Sequence, residues 1–265
     1  MGKTILYARN ETDLIKILSN NPGTQIVGGC TRIESLPDKF ISTHGIKSIS
    51  QIVRHELYID VGPGATLSDL LNIGQTHLPQ ILYEALNCIA NPFIRNIATV
   101  GGNICTPEHK LTLFAPLMAL DARLEFKNLD ETRTENIRNF KGVPDGFILT
   151  NIRIPIVDAE LSIFRRIGSE HTITQQSASF AFMADTEKNS LLNVHLAFAG
   201  PFAFYSKEFE NAMIGRRLPL QQSDINEIEN LVIEEFQKTA TDKMISDVVK
   251  QQFFNLTRYS FEQLT

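Results

Sequence analysis

Two pairs of adjacent glycines are the residues of this chain best suited to chemistry. Gly28-Gly29 follows the apolar Ile26-Val27 and precedes Cys30-Thr31, and Gly101-Gly102 follows Thr99-Val100 and precedes Asn103-Ile104. Residues without a Cβ let backbone N–H groups close on an anion, and the flanking hydroxyl and amide side chains add polar atoms. Two such loops, each after an apolar segment, imply one extended phosphate-bearing ligand held at two places. The common nucleotide fingerprints do not accompany them. Gly62-Pro63-Gly64 begins G-x-G-x-x-G, but Leu67 stands where the third glycine belongs, and there is no G-x-x-x-x-G-K-[ST].

Other chemistries find little support. Cys30, Cys88 and Cys105 are odd in number and widely spaced, with no C-x-x-C, so neither a disulfide framework nor a zinc or iron–sulfur site is expected. His171 and His195 lack metal-ligand spacing with any Cys, Asp or Glu, and no metal site is assigned. His109 adjoins Glu108, but sequence neighbours rarely share a face, so a surface loop is the favoured reading. Cys105 reads as a small buried filler. No Ser-His-Asp arrangement is visible, and no catalytic residue is assigned. A net charge of −5 with interspersed charges argues against a nucleic-acid binder, whose footprint is a basic patch. There is no signal-peptide apolar core and no apolar run long enough for a membrane span, so a soluble, cytoplasmic protein is expected.

The elements that must position the glycines follow from periodicity. Residues 4–8 read as a strand, Asn10 as an N-cap, and Leu14, Ile17 and Leu18 as the apolar stripe of a helix. Gln25–Val27 is a strand delivering the first glycine pair, and Lys47–Ile49 and Glu56–Val61 read as two more. Thr66 with Asp69 resembles a capping box opening a helix over Leu67–Ile73. Leu78–Leu86 continues as helix, Asn91-Pro92 starts a short one that ends in the second glycine loop, and Leu111–Leu120 is helical. Ala122–Phe126 and Ile148–Ile154 alternate as strands. Beyond Pro155 come three strands, Ile163–Ile167, Ser177–Ala184 and Leu191–Ala199, the last two joined by the polar stretch 185–190. Helices follow over Lys207–Met213, Ser223–Lys238 and from Met244 onward. At 265 residues the chain exceeds the usual single-domain size, and strands followed by helices make the α+β signature. The expected division is 1–157, with subdomains of about 1–55 and 56–157, and 158–265.

The run Arg95-Asn96-Ile97-Ala98-Thr99-Val100-Gly101-Gly102-Asn103-Ile104, followed by Met118-Ala119-Leu120-Asp121-Ala122, resembles the signature of FAD-binding subunits of molybdenum hydroxylases, the xanthine dehydrogenase and carbon monoxide dehydrogenase group. Supporting segments stand in order: Val27-Gly28-Gly29, Gly146 to Pro155, and Phe164-Arg165-Arg166-Ile167-Gly168. The resemblance implies a PCMH-type FAD-binding region of two α/β subdomains, then a C-terminal domain with a three-stranded antiparallel sheet and helices. It implies that Val27, Gly28, Gly29, Cys30 and Thr31 form one cofactor loop and Thr99, Gly101, Gly102 and Asn103 the other, with Leu149 and Arg165 approaching the flavin. A solvent-facing Arg165-Arg166 pair is an equal reading of that strand. The chain departs from relatives in having Thr106-Pro107-Glu108-His109 where an Ala-Ser-Pro-like segment is usual. It also has Thr112 at an Asp position that bonds the cofactor, and Cys30 where Thr or Ser is usual. A hydroxyl can bond but carries no charge, and a thiol is a weak donor.

By the same resemblance the chain is an electron-transfer subunit. FAD takes electrons from iron–sulfur clusters on a [2Fe–2S] partner and passes them to NAD or another acceptor, while a molybdopterin-binding catalytic subunit carries out substrate hydroxylation. Two alternatives stay open: a stand-alone FAD reductase of the enolpyruvyl-reductase type, and a scaffold subunit that has lost FAD.

Overall fold

Local capping chemistry fixes where the elements of the first half begin. In a computed structural model, residues 2–107, 109–169, 172–239 and 245–265 are described; Glu108, His171 and Met244 lie outside the described residues. Asn10 accepts from the Asp13 amide at 2.9 Å, Asn91 from the Ile94 amide at 3.0 Å, and Thr66 with Asp69 forms a complete capping box. In chain order the elements are β1 (Thr4–Leu6), α1 (Glu11–Asn20), β2 (Gln25–Val27), β3 (Lys39–Ser42), β4 (Ile52–Arg54), β5 (Tyr58–Val61), α2 (Leu67–Leu71), α3 (Gln80–Asn87), α4 (Pro92–Arg95), α5 (Val100–Cys105) and α6 (Phe114–Ala119). There follow β6 (Arg123–Lys127), β7 (Thr132–Asn136), β8 (Ile148–Pro155), β9 (Leu161–Ile167), β10 (Ala178–Glu187), β11 (Ser190–Ala199), β12 (Ala203–Tyr205), α7 (Lys207–Met213), α8 (Gln222–Thr239) and α9 (Asp247–Glu262). Two compact units result, one of residues 1–78, 89–107 and 121–156, the other of 79–88, 108–120 and 157–265.

The first unit holds two sheets. β1, β3 and β2 pair in parallel in that order, with β3 central. Its short Phe40-Ile41 is buried, and Ile41 packs with Leu14 and Ile15 of α1. β4, β5, β8, β6 and β7 form an antiparallel sheet, and Lys127 of β6 reaches Glu11 of α1 at 3.2 Å and Glu125 at 3.2 Å, an ionic tie between the second sheet and the helix covering the first. The segment Lys47–Ile49, expected as a strand, is a 3-10 turn. Consecutive i to i+3 bonds, Ile49 N–H to Ile46 and Ser50 N–H to Lys47, win there, and they bury Ile49 without any strand partner.

The second unit is built on the antiparallel sheet β12-β11-β10-β9. Three of its strands match expectation in place. The fourth, β12, is only Ala203–Tyr205, so the sheet has four strands rather than three. The polar stretch 185–190 closes a hairpin, as expected, and most of it is strand. β10 and β11 run through it, with a bulge after Asp185, to a two-residue turn at Lys188-Asn189, both with positive φ, the geometry that suits strand twist. Phe180, Phe182 and Phe198 alternate with Ser179, Ala181, Ala197 and Ala199. The phenylalanine face packs on α7, α8 and α9, where the Phe236 and Phe253 rings stack at 4.9 Å and Phe198 meets Phe253 edge-on at 5.4 Å. α6 lies against β10 and β11, and α3 against β9. With helices over both faces, β10 is buried from Ala178 to Ala184, so period-2 polarity is lost there.

On the five-stranded sheet, Asp60 accepts from Asn151 Nδ2 at 2.8 Å and from both Nε (2.8 Å) and Nη2 (3.0 Å) of Arg153, whose guanidinium lies 4.1 Å over the Tyr58 ring. Partial burial pushes the Asp60 carboxyl up, but the hydrogen bonds and the charges of Arg153 and His55 outweigh it and leave the pKa below the usual carboxylate range. A lowered folded pKa gives stability that is present above the unfolded value of about 4 and is lost as pH falls through the folded value. Asp60→Asn is therefore expected to lower stability by up to about 1 kcal/mol at neutral pH. The gap in Tm between variant and parent should close on acidification below about pH 4; a gap independent of pH contradicts the assignment.

Candidate functional site

The second glycine motif is not a loop but the first turn of α5. Thr99 is its N-cap, in extended backbone, and its Oγ1 accepts from the Gly102 N–H at 3.0 Å. This turn rests on the segment Gly62-Pro63-Gly64-Ala65: Gly101 N–H donates to the Pro63 carbonyl at 2.9 Å, Val100 N–H to Ala65 at 2.9 Å, and Leu67 N–H returns to Ala98 at 2.9 Å. A Cβ on Gly101 would lie 2.7 Å from Pro63 Cβ and 2.8 Å from its carbonyl oxygen, so Gly101 is small because the supporting turn is there. Gly62-Pro63-Gly64, an incomplete fingerprint by sequence, is thus the platform of the other motif. No local pattern announces that role, because it depends on contacts between separated segments.

The first motif leaves β2 and meets the second directly. A Cβ on Gly28 would stand 2.6 Å from Thr99 Oγ1, and one on Gly29 only 1.9 Å from the Ile97 carbonyl oxygen. Real Cβ atoms do not approach backbone that closely, so these glycines permit the contact between the two segments. Cys30 follows with φ +55°, a left-handed conformation rare for a residue with a side chain, and its Sγ donates weakly to the Gly28 carbonyl at 3.4 Å. Burial raises the Cys30 thiol pKa, so the thiol stays protonated at neutral pH. Cys30 and Thr31 are exposed, whereas Val27, the last residue of β2, is buried.

Gly102 differs from its neighbours. It is exposed, and an added Cβ would meet only Thr99 Oγ1, at 3.0 Å, leaving the outer side of the turn open. Asn103 is buried in α5, its N–H donating to the Thr99 carbonyl at 3.0 Å. Arg95, at the end of α4, donates from Nη1 to the carbonyls of Ile89 and Ala90, both at 2.8 Å, while its buried Nε has no partner among the described residues. Its work is to hold the turn that leads into α4.

The remaining candidates sit elsewhere. Leu149 is a buried residue of β8, paired with Phe126 of β6 beside a bulge. Thr112 and Arg165 belong to the second unit. Thr112 is buried just before α6 and lines a small cleft with His109, Lys110, Arg166 and Ser177. Arg165 is exposed, donating to the Phe164 carbonyl at 2.7 Å. Its neighbour Arg166, half-buried, donates to the carbonyls of Ser169 and Thr172 and is the arginine that shares the cleft with Thr112. Strand alternation signals that the two arginines face opposite ways but not which one faces the cleft. His109 is buried rather than a surface residue, and Cys105 is partly exposed rather than fully buried. Among the described residues no cluster of His, Cys, Asp or Glu could hold a metal, and no helix is long and apolar enough to cross a membrane.

A family profile described as the FAD binding domain in molybdopterin dehydrogenase matches residues 3–157. The xanthine dehydrogenase FAD-binding subunit of Escherichia coli O157:H7 is 30% identical over 142 residues, covering 50% of this chain and 48% of that protein. The glyceraldehyde dehydrogenase medium chain of Sulfolobus acidocaldarius is 22% identical over 234 residues, 80% of this chain and 82% of that one. The matched region spans about half the length of the Escherichia coli relatives. Among solved structures, a cyanide-inactivated Cu,Mo-CO dehydrogenase has a chain with a TM-score of 0.82 at 14% identity, covering 100% of this chain and 96% of that one. Quinoline 2-oxidoreductase from Pseudomonas putida 86 gives 0.79 at 14%, covering 100% and 95%. At that identity the likeness is one of fold.

Arg95→Ala removes two charge-assisted bonds to carbonyls and is expected to cost about 2–3 kcal/mol of stability. Chemical denaturation checks it, and a change under about 0.5 kcal/mol, the ordinary surface range, contradicts the clamp.

Proposed function

Since this chain belongs to the FAD-binding domain family of the molybdopterin dehydrogenases, we propose that it is the flavin-bearing electron-transfer subunit of a xanthine dehydrogenase-like molybdenum hydroxylase. The observation that carries the reading is the meeting of the two glycine motifs, Gly28-Gly29 against Ile97 and Thr99, beside the open face of Gly102. The residues present suit the cofactor: a Cβ-free cradle and exposed backbone donors can hold a diphosphate without a dense basic cluster. FAD, when bound, supplies the exchange of one or two electrons. The chain's own residues bind and orient it, and none is asked to act as a general acid or base. Val27, Gly28, Gly29, Cys30 and Thr31 on one side and Thr99, Gly101, Gly102 and Asn103 on the other are the proposed cofactor segments. Thr112, Leu149 and Arg165 are proposed flavin contacts by their place in the resemblance.

In this reading residues 1–157 are the FAD-binding domain and 158–265 the C-terminal domain. Electrons arrive from a [2Fe–2S] subunit, leave to NAD or another acceptor, and originate at a molybdopterin-binding catalytic subunit, all in the cytoplasm. The names of the relatives, a xanthine dehydrogenase FAD-binding subunit and a glyceraldehyde dehydrogenase medium chain, support a multi-subunit setting.

The purified protein is expected to carry FAD, absorbing near ~450 nm and identified by mass after release. Gly102→Val should lose the flavin while keeping the parent's far-ultraviolet circular dichroism, because the added branches fill the open side of the turn rather than the interior. A folded parent that stays colourless with FAD supplied contradicts the reading in favour of a scaffold. A yellow protein that never co-purifies with a molybdenum subunit points instead to a stand-alone reductase.

A further inference from the structure

One stretch of the first unit combines exposure with an absence of charge. From Ile89 to Pro107 the sequence has a single charged residue, Arg95, in a chain of which 21% is charged. The Arg95 guanidinium is itself committed, through Nη1, to the Ile89 and Ala90 carbonyls. Phe93 is 81% exposed, Ile97 54% and Ile94 38%, so three large apolar side chains within five residues meet solvent. Exposed apolar residues scattered singly are ordinary, but a group of them without interspersed charge has the composition of an interface core, where aromatic residues are enriched and charged ones depleted. The backbone beneath them is fixed. Asn91 caps α4, Asn96 N–H donates to the Pro92 carbonyl at 3.0 Å and Ala98 N–H to that of Ile94 at 2.8 Å, so the side chains are displayed on a turn that is already ordered before any partner arrives.

We propose that Phe93, Ile94 and Ile97 form the seat of the protein that delivers electrons to this chain, with Phe93 as its anchor. The inference rests on the flavin reading above and gives the iron–sulfur partner of that reading a place on this surface. Ile97 joins the two sites: its carbonyl oxygen is the atom against which Gly29 packs, and its side chain belongs to the patch. A protein seated on the patch therefore stands beside the cofactor segments. Electron transfer slows steeply with distance, so the donor is the partner that has to be there. The molybdopterin-binding subunit reaches the flavin through that donor. NAD carries a diphosphate, and the stretch offers it no charge beyond Arg95, already committed to two carbonyls. Each delivery oxidises one reduced cluster by one electron, and two deliveries, with protons taken up from water, reduce one flavin. An aromatic side chain that becomes buried at the centre of such a seat carries a large share of the binding energy.

The test uses the full chain, tagged and produced in its own organism, and measures the FAD, iron and acid-labile sulfide that purify with each chain, the [2Fe–2S] centre being identified by electron paramagnetic resonance after reduction. The parent is expected to hold all three. Phe93→Asp should keep the parent's FAD content and Tm but carry about ten-fold less iron and sulfide, and Phe93→Ala should fall in the same direction. Leu57→Asp, at a residue 72% exposed in the turn between β4 and β5, should keep the parent's content of all three. Parent levels of iron and sulfide in Phe93→Asp overturn the proposal and leave the flavin reading intact, and so does an equal loss in Leu57→Asp. Loss of FAD together with the cluster by a folded Phe93→Asp also overturns it, because Phe93 then serves the cofactor. A self-associated parent that Phe93→Asp makes monomeric without loss of iron overturns it in favour of a second copy of this chain. Flavin without iron in the parent overturns the donor assignment in favour of a stand-alone reductase. A folded parent that holds no FAD overturns the flavin reading itself, and the proposal with it.

Discussion

The carbonyl of Ile97 lies against the α-carbon of Gly29, where a Cβ would be 1.9 Å from its oxygen, and the rest of the candidate site depends on that contact. It brings β2's exit onto the N-cap of α5, with Gly28 under Thr99 Oγ1. The same requirement repeats where Gly101 sits on Pro63 and the Val100 and Gly101 amides donate to the Ala65 and Pro63 carbonyls. Three separated stretches are therefore stacked closely, with backbone against backbone at Gly29 and Ile97. Backbone contacts of this kind cannot relax around an added methyl group as side chains can, so the site's shape is set by residues that contribute no side-chain chemistry.

Around this stack the first unit buries apolar residues such as Ile59, Val61, Leu124, Phe126 and Ile152 and adds polar ties between its elements. Lys127 joins Glu11 and Glu125, Thr150 donates to Glu125, and Asp60 gathers Asn151 and Arg153. In the second unit interlocking rings of Phe198, Phe204, Phe236 and Phe253 between sheet and helices supply burial worth about 2–3 kcal/mol per side chain. The chemistry assigned to the chain belongs to a bound cofactor. A framework that fixes backbone donors and excludes side-chain clutter is what that task asks for.

Elements with a local signature were legible in the sequence. Asn10, Asn91-Pro92 and the Thr66/Asp69 pair start helices where capping chemistry says they should, and long alternating runs such as 148–154 and 191–199 are strands. Short pieces whose identity comes from partners were not. β3 and β12 have four and three residues and become strands only because neighbours pair with them, and Lys47–Ile49 forms a turn because its own amides close locally. At the site, the glycine pairs were visible, but which of their amides remain available was not. That depends on Pro63 and Ala65 occupying one set, a non-local fact. For Arg165 and Arg166, alternation gives two faces, and only the packing shows that Arg166 is the one lining the cleft with Thr112.

The most direct test of the account is an experimental structure of the protein with FAD bound, read at the diphosphate. The account predicts phosphate oxygens within about 3 Å of backbone amide nitrogens of the Gly28–Thr31 segment, with Gly29 still seated on the Ile97 carbonyl. A diphosphate held elsewhere, or glycine segments separated by interposed side chains, contradicts it.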